Sequence, residues 1–253
     1  MRTLAVIPAR LGASRLPRKP LRLLAGAPLV LRVWERVNAL EVAERCVVAT
    51  DSPEVARAVE QAGAECVLTS PDHPSGTDRV AEVAAAPAFR AFDAIVNVQG
   101  DEPFVSPEAL RGAVSLVTSG RFPLATAAAA AAPSVLGTPH VVKVVAADDG
   151  RAMYFSRAEI PYLRDAADAP LRDRCVLQHI GVYAYTREAL ARWVALAPHP
   201  LERVEHLEQL RPLAAGIPIG VARVAEPPRG GIDTEADLER ANAEWADFTA
   251  ERE

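Results

Sequence analysis

The sequence predicts an α/β protein: a mostly parallel sheet with helices on both faces and a smaller β-rich lobe inserted late in the chain. Three observations carry this reading. Short, continuous apolar runs alternate with helix-start signals through the first half; strands buried on both faces read this way, and parallel neighbours need helical crossovers. The opener Ser-Pro-Glu occurs twice, at 52–54 and 106–108, giving each helix a cap, a proline in its first turn and an early acid. The second half changes character, with alternating strands at Val141–Ala147 and Leu177–Tyr185.

In chain order, Thr3–Pro8 is the first buried strand, followed by a loop rich in Arg, Gly and Pro up to Pro28. Leu29–Leu40 has a helical period, with Leu29, Val33 and Leu40 on one side. Arg45–Thr50 is the second strand; the helix opened by Ser52 is closed by Gly63. Cys66–Thr69 is a third strand, Thr77–Ala86 a helix and Ala94–Val98 a fourth strand. Ser106 opens another helix. Leu124–Ala132 is alanine-rich, which favours helix, but its place in the alternation suits a strand. Asp148–Val176 has no clear period from Asp165 on. Leu201–Ala215 is expected as one helix ended by Gly216, Ile217–Val224 as a strand, and Thr234–Phe248 as a helix with Thr234 and Asp237 forming a capping-box variant. The expected division is a core of residues 1–132 and 201–253 with an inserted lobe at 133–200.

Composition narrows the function classes. The 253 residues are 50% hydrophobic and 24% charged, as in an ordinary globular protein. The net charge is −5, which gives no support for a nucleic-acid binder. The uncharged stretch Phe122–Val142 contains Pro123, Pro133 and Pro139, so it predicts no membrane helix. The N-terminal apolar run is too short for a signal peptide, and the expected location is cytoplasmic. Cys46, Cys66 and Cys175 form no metal or redox spacing; Cys46 and Cys66 begin apolar runs and read as small core hydrophobes. Only Lys19 and Lys143 are lysines among 28 basic residues, a hint that each sits where a guanidinium does not fit.

Five segments carry candidate chemistry. Residues 8–20, PARLGASRLPRKP, place Arg10, Arg15, Arg18 and Lys19 after the first strand, where open parallel sheets bind ligands. The loop is either a solvated basic segment or a phosphate clamp; it is neither a Walker loop nor GxGxxG. Residues 96–103, VNVQGDEP, run a buried strand into Gln99, Gly100, Asp101 and Glu102. That is a Mg²⁺ site built on carboxylates or an ordinary turn. Asp233 is a metal ligand or a helper of the helix N-terminus that follows. The loop PSGTDR at 74–79 precedes a helix whose N-terminus suits anions or a polar ring edge. The inserted lobe carries YFSR at 154–157, HIGVY at 179–183 and EHLEQ at 205–209. His179 and Tyr183 lie four apart on a strand and share a face, so these segments form either a polar wall for a polyhydroxylated acid or plain core and surface.

In this order, PARxxxSRLPxKP, ATD at 49–51, SGTDR, NVQGDEP, KVV at 143–145, YFSRAEIP, HIGVYAY, LExxEHLEQLR and GIDTEADL resemble the 3-deoxy-manno-octulosonate (Kdo) cytidylyltransferase family from about residue 3 to 241. The resemblance implies a Rossmann-like nucleotidyltransferase fold, CTP and Kdo as substrates, Mg²⁺ as cofactor and a homodimer joined through the inserted lobe. It implies Asp101 and Asp233 as metal ligands, and Arg10, Arg15 and Lys19 as the phosphate clamp. On the nucleotide side it adds Pro8, Ala9, Ser14, Ser75, Gly76, Thr77, Arg79 and Gln99. The sugar side takes Gln99, Arg157, His179, Tyr183, Glu208 and Gln209. Arg18 departs from the pattern, standing where the family commonly has Gly. Rival readings are a related acid sugar, 8-amino-Kdo or a sialic acid, and a nucleotide-binding module without turnover; the carboxylate pair speaks against the last.

Overall fold

The computed structural model describes residues 1–12 and 15–250. Its strands are β1 (Thr3–Pro8), β2 (Leu23–Leu24), β3 (Ala27–Pro28), β4 (Arg45–Thr50), β5 (Glu65–Leu68), β6 (Ala94–Asn97), β7 (Leu124–Ala130), β8 (Lys143–Ala146), β9 (Ala152–Ser156), β10 (Val176–Thr186) and β11 (Ile219–Val224). Its helices are α1 (Leu29–Ala39), α2 (Pro53–Gln61), α3 (Gly76–Ala85), α4 (Pro107–Thr118), α5 (Ala169–Cys175), α6 (Arg187–Ala195), α7 (Pro200–Glu205), α8 (Leu210–Ala214) and α9 (Glu235–Ala250). The chain forms two compact units. The first comprises Arg2–Phe92, Asn97–Val105 and the chain from Arg229 onward; the second comprises Asp93–Val96 and Ser106–Pro228. Helix α4 and strands β7 and β11 thus belong with the segment expected as an insertion, and the observed units are wider than the span 133–200.

In the first unit, β1 pairs in parallel with β4 and β4 with β5. Leu4, Ala5, Val6 and Ile7 are fully buried, as are Val47, Val48 and Ala49, which is why these strands read as unbroken apolar runs. The predicted Ser52 cap forms, accepting from Val55 N, and Ser75 caps α3 through Asp78 N. A second core gathers Leu16, Leu24, Leu29, Phe104, Ile232, Leu238, Ala241 and Phe248. Phe104 and Phe248 meet edge to face at 4.8 Å. This cluster fastens the loop after β1, the segment after β6 and the start of α9 to one another.

The second unit orders its strands β11-β7-β10-β6, with β8 joined to β10 and β9 to β8. β11 is parallel to β7, whereas β7–β10, β10–β8 and β8–β9 are antiparallel. The alanine-rich run is the strand β7; alanines there let neighbours pack closely, and Gly220 on β11 lies against the Phe122 ring, where a Cβ would stand 2.4 Å from a ring carbon. Ser106 caps α4 through Ala109 N. One expectation here needs correction. The helix expected over Leu201–Ala215 is two, α7 and α8, because His206 adopts a left-handed φ of 52° and stops the first. The stretch without a clear period from Asp165 on contains the short helix α5, and β9, paired with β8, lies ahead of it. No helix among the described residues is long and apolar enough to cross a membrane.

Candidate active site

In the first unit, the end of β1 leads into the basic loop. Val98 N donates to Val6 O at 3.1 Å, so the chain leaving β6 runs beside β1. Gly100 follows because a Cβ there would lie 2.7 Å from Pro8 O; no side chain fits that approach. Gly76, at the start of α3, places its Cβ direction 3.4 Å from Pro8 Cγ and 3.9 Å from Gln99 Oε1. Pro8, Gly76 and Gln99 are therefore neighbours.

Asp101 and Asp233 are brought together by backbone as well as core. Ile232 N donates to Asp101 O at 2.9 Å. Lys19 Nζ lies 2.5 Å from Asp101 Oδ2 and 2.8 Å from Asp233 Oδ1. Arg15 Nη2 donates to Asp233 Oδ2 at 3.0 Å. Each of the inner three lies within three positions of an anchor in the second core: Lys19 follows Leu16, Asp101 precedes Phe104, and Asp233 follows Ile232. Burial opposes the charge on Lys19, but Asp101 and then Asp233 outweigh it and raise its pKa above the usual lysine value. Glu102 is pushed up to about 8, first by burial and then by the charges of Asp101 and Asp233, with Lys19 opposing.

That donor set fits Mg²⁺. The ion favours hard oxygen ligands and takes one or two carboxylates plus substrate phosphates rather than a full protein cage. Among the described residues no cluster of three or more His, Cys, Asp or Glu forms such a cage, and the pair Asp101 and Asp233 converges on one point, the Lys19 ammonium.

The other residues expected on the nucleotide side divide. Arg10 is exposed at the end of β1, and Ala9 is buried with its N–H on Ala49 O at 2.8 Å. Ser75 spends its hydroxyl on Asp78, and Thr77 is buried in the first turn of α3. Arg79 is 3% exposed and turned inward, onto Thr69 Oγ1 and Asp51 Oδ2; it ties the ends of β4 and β5 to α3. Ser14 lies outside the described residues. Arg18 has φ 58° and pairs with Glu54, which explains why a glycine suits this position.

In the second unit, β10 bulges between Ile180 and Tyr183, and this brings the rings of His179 and Tyr183 to 5.5 Å. Four residues of regular strand would span about 13 Å. The buried Thr126 hydroxyl stitches the bulge: Oγ1 lies 2.7 Å from Val182 O and 2.9 Å from His179 Nε2. Its single proton goes to the carbonyl, so Nε2 carries the imidazole N–H and Nδ1 is left as an acceptor. Burial lowers the His179 pKa to about 4 and raises that of Tyr183 well above the ordinary value.

Arg157 Nε donates to Glu205 O at 2.7 Å, Nη1 to Pro139 O at 3.0 Å and Nη2 to His206 O at 3.3 Å. Its guanidinium thus organises backbone. Glu208 and Gln209 follow the His206 corner, Gln209 being 4% exposed. Sequence reasoning gave no role to Thr126, and named Glu102 and Glu205 only as members of their motifs. A lone hydroxyl in an alanine run was the available signal for Thr126.

The cytidylyltransferase family profile matches residues 4–219. A 3-deoxy-manno-octulosonate cytidylyltransferase of Gemmatimonas aurantiaca is 64% identical over 97% of this chain and 95% of its own. One from Yersinia pseudotuberculosis is 46% identical over 96% and 98%. A solved structure of a CMP:2-keto-3-deoxy-manno-octonic acid synthetase complexed with CTP superposes with TM-score 0.90 at 38% identity, covering 98% of this chain and 99% of that one. By its paired carboxylates, its basic loop and these relatives, the chain belongs to the cytidylyltransferase family, and within it to the 3-deoxy-manno-octulosonate cytidylyltransferases.

Proposed function

We propose that the chain transfers CMP from CTP to the anomeric hydroxyl of Kdo, releasing pyrophosphate, with Mg²⁺ held by Asp101 and Asp233. The observation that carries this is the convergence of those two carboxylates with Lys19 and Arg15 beside the Pro8–Gly76–Gln99 neighbourhood. Carboxylates within an anion loop serve no purpose for phosphate unless a cation joins them, which favours turnover over a passive nucleotide module. The relatives' names supply the sugar acid, and the related solved structure complexed with CTP supplies the nucleotide. Homodimerisation, a cytoplasmic location and the choice of Kdo over its 8-amino analogue stand as parts of the same proposal.

In the reaction the sugar hydroxyl oxygen bonds to the α-phosphorus as the bond to the β-phosphate oxygen breaks. The electron pair leaves with pyrophosphate and the hydroxyl proton passes to solvent. The protein's part is positioning and charge stabilisation. Arg10, Arg15 and Lys19 take the charge that grows on the leaving pyrophosphate. Pro8, Ala9, Ser14, Ser75, Gly76, Thr77 and Gln99 bind the nucleotide, and Arg79 holds the α3 end of that set in place. When bound, Mg²⁺ lowers the hydroxyl pKa and neutralises phosphate charge. On the sugar side, His179 offers its Nδ1 acceptor, with Tyr183, Glu208 and Gln209 completing the wall and Arg157 holding the backbone behind it. Incubation with CTP, Mg²⁺ and Kdo should release pyrophosphate and form CMP-Kdo; release that does not depend on Kdo, or none at all, refutes the assignment.

A further inference from the structure

Lys143 is one of only two lysines in the chain, and the structure gives it no contact with solvent: it is 0% exposed. It lies on β8, opposite Ser156 of β9 and Gln178 of β10. Its ammonium donates to three backbone carbonyls, Val141 O at 2.7 Å, Thr138 O at 3.1 Å and Arg157 O at 2.5 Å. A buried ammonium is costly unless its protons are satisfied, and an ammonium has three donors around one point. Three carbonyls converging on that point match it; a planar guanidinium, whose donors fan outward in a fixed fork, does not.

The residues that this ammonium holds continue toward the sugar-side segment. Immediately before Arg157, Ser156 Oγ donates to Glu205 Oε1 at 2.6 Å, and Arg157 N donates to Glu205 Oε2 at 2.9 Å. The Arg157 guanidinium closes on the carbonyls of Glu205 and His206. His206 is the left-handed corner between α7 and α8, and the chain leaves it through Leu207 into Glu208 and Gln209. On the other side, Val142 O accepts from His179 N at 2.9 Å.

We propose that Lys143 is a positioning residue for the sugar side. By collecting the carbonyls of Thr138, Val141 and Arg157 on one ammonium, it fixes the Ser156–Arg157 turn. Through Glu205 it then fixes the His206 corner that presents Glu208 and Gln209. The role rests on the reading of these residues as the Kdo side, and on no contact of Lys143 itself with substrate.

The test compares Lys143→Arg, Lys143→Met and Glu205→Gln with the parent, measuring the Kdo KM, kcat, the CTP Kd by direct titration and the melting temperature. Lys143→Arg keeps the charge yet should raise the Kdo KM at least tenfold while the CTP Kd stays within twofold; Lys143→Met should do the same. Glu205→Gln should raise the Kdo KM in the same direction by a smaller factor. Simple loss of structure would lower the melting temperature and the active fraction, and so kcat, without moving KM. A Kdo KM within twofold of the parent in Lys143→Arg overturns the role, as does a CTP Kd that weakens equally. Should the Lys143 variants fail to fold, an unmoved Kdo KM in Glu205→Gln overturns it. His179→Ala in the same assay separates the two failures. A raised KM there beside an unmoved one in Lys143→Arg overturns the Lys143 role alone; an unmoved KM in His179→Ala overturns the sugar-side reading with it.

Discussion

Lys19 Nζ stands 2.5 Å from Oδ2 of Asp101, 82 positions further along the chain, and the same nitrogen reaches Oδ1 of Asp233 at 2.8 Å. One compact cation therefore sits between two carboxylates that local sequence leaves unrelated. The arrangement is held by the Leu16, Phe104, Ile232 and Phe248 core beneath it. Mutation of either end should read out in catalysis before stability.

Asp101→Asn removes one carboxylate charge at nearly constant volume. We expect a fall in turnover of at least a hundredfold, or about 2.7 kcal/mol of transition-state stabilisation, with the melting temperature little changed. Pyrophosphate release at saturating Mg²⁺ measures it; near-parent rates would remove Asp101 from the metal pair.

Lys19→Arg keeps the charge and changes its shape. A guanidinium cannot place one nitrogen between both carboxylates without displacing the loop, so kcat should drop by about tenfold or more. Equal activity would mean that only net charge matters at this position.

Arg18 sits in the left-handed region at φ 58°, a conformation that costs a non-glycine residue about 1 kcal/mol or more. Its exposed partner Glu54 returns less than about 1 kcal/mol. Urea unfolding should therefore rank Arg18→Gly at least as stable as the parent, and Arg18→Val below both, since a β-branched side chain tolerates this backbone worst. A Val variant as stable as the parent contradicts the backbone assignment.

His179 has its pKa lowered to about 4 by burial, below the ordinary 6.5. The unfolded chain thus binds the extra proton between these two values, and stability rises with pH across that window. The contribution is complete above about pH 6.5 and is lost as pH falls toward 4, on the order of 2–3 kcal/mol. Denaturant unfolding of the parent at pH 7 and 4.5 should show a larger loss than in His179→Gln. An imidazole NMR signal of His179 titrating near pH 6.5 would contradict it.

The two substrates should be recognised by separate residue sets. His179→Ala and Gln209→Ala are expected to raise the Kdo KM and leave CTP binding within about twofold, while Arg15→Ala weakens the nucleotide side first. Kdo saturation curves and CTP titration on the three variants decide this. Equal damage to CTP binding in all three contradicts the division.

Strands and caps were legible because their causes are local. The apolar runs at Thr3–Pro8 and Arg45–Thr50 form β1 and β4 with the expected bounds. Ser52, Ser106 and Thr234 cap as their spacing implies. The scarcity of lysine hinted at two sites where a guanidinium does not fit; in the structure each ammonium, of Lys19 and of Lys143, is held by several oxygens. The order of the motifs identified the family, and with it Asp101 and Asp233 as a pair.

Other features depended on contacts between distant segments. Arg157 and Arg79 carry the same guanidinium as Arg15, yet they face inward onto carbonyls and a half-buried carboxylate because β9, α7 and the ends of β4 and β5 close around them. The left-handed corner at His206 splits a helix that periodicity drew as one. The bulge at Ile180–Tyr183, stitched by Thr126 from β7, sets the distance between His179 and Tyr183. Hydrophobic period and capping act within a few residues and so are written in the chain. Which charge meets which, and which histidine nitrogen is left to accept, is decided only when segments tens to hundreds of residues apart share one core.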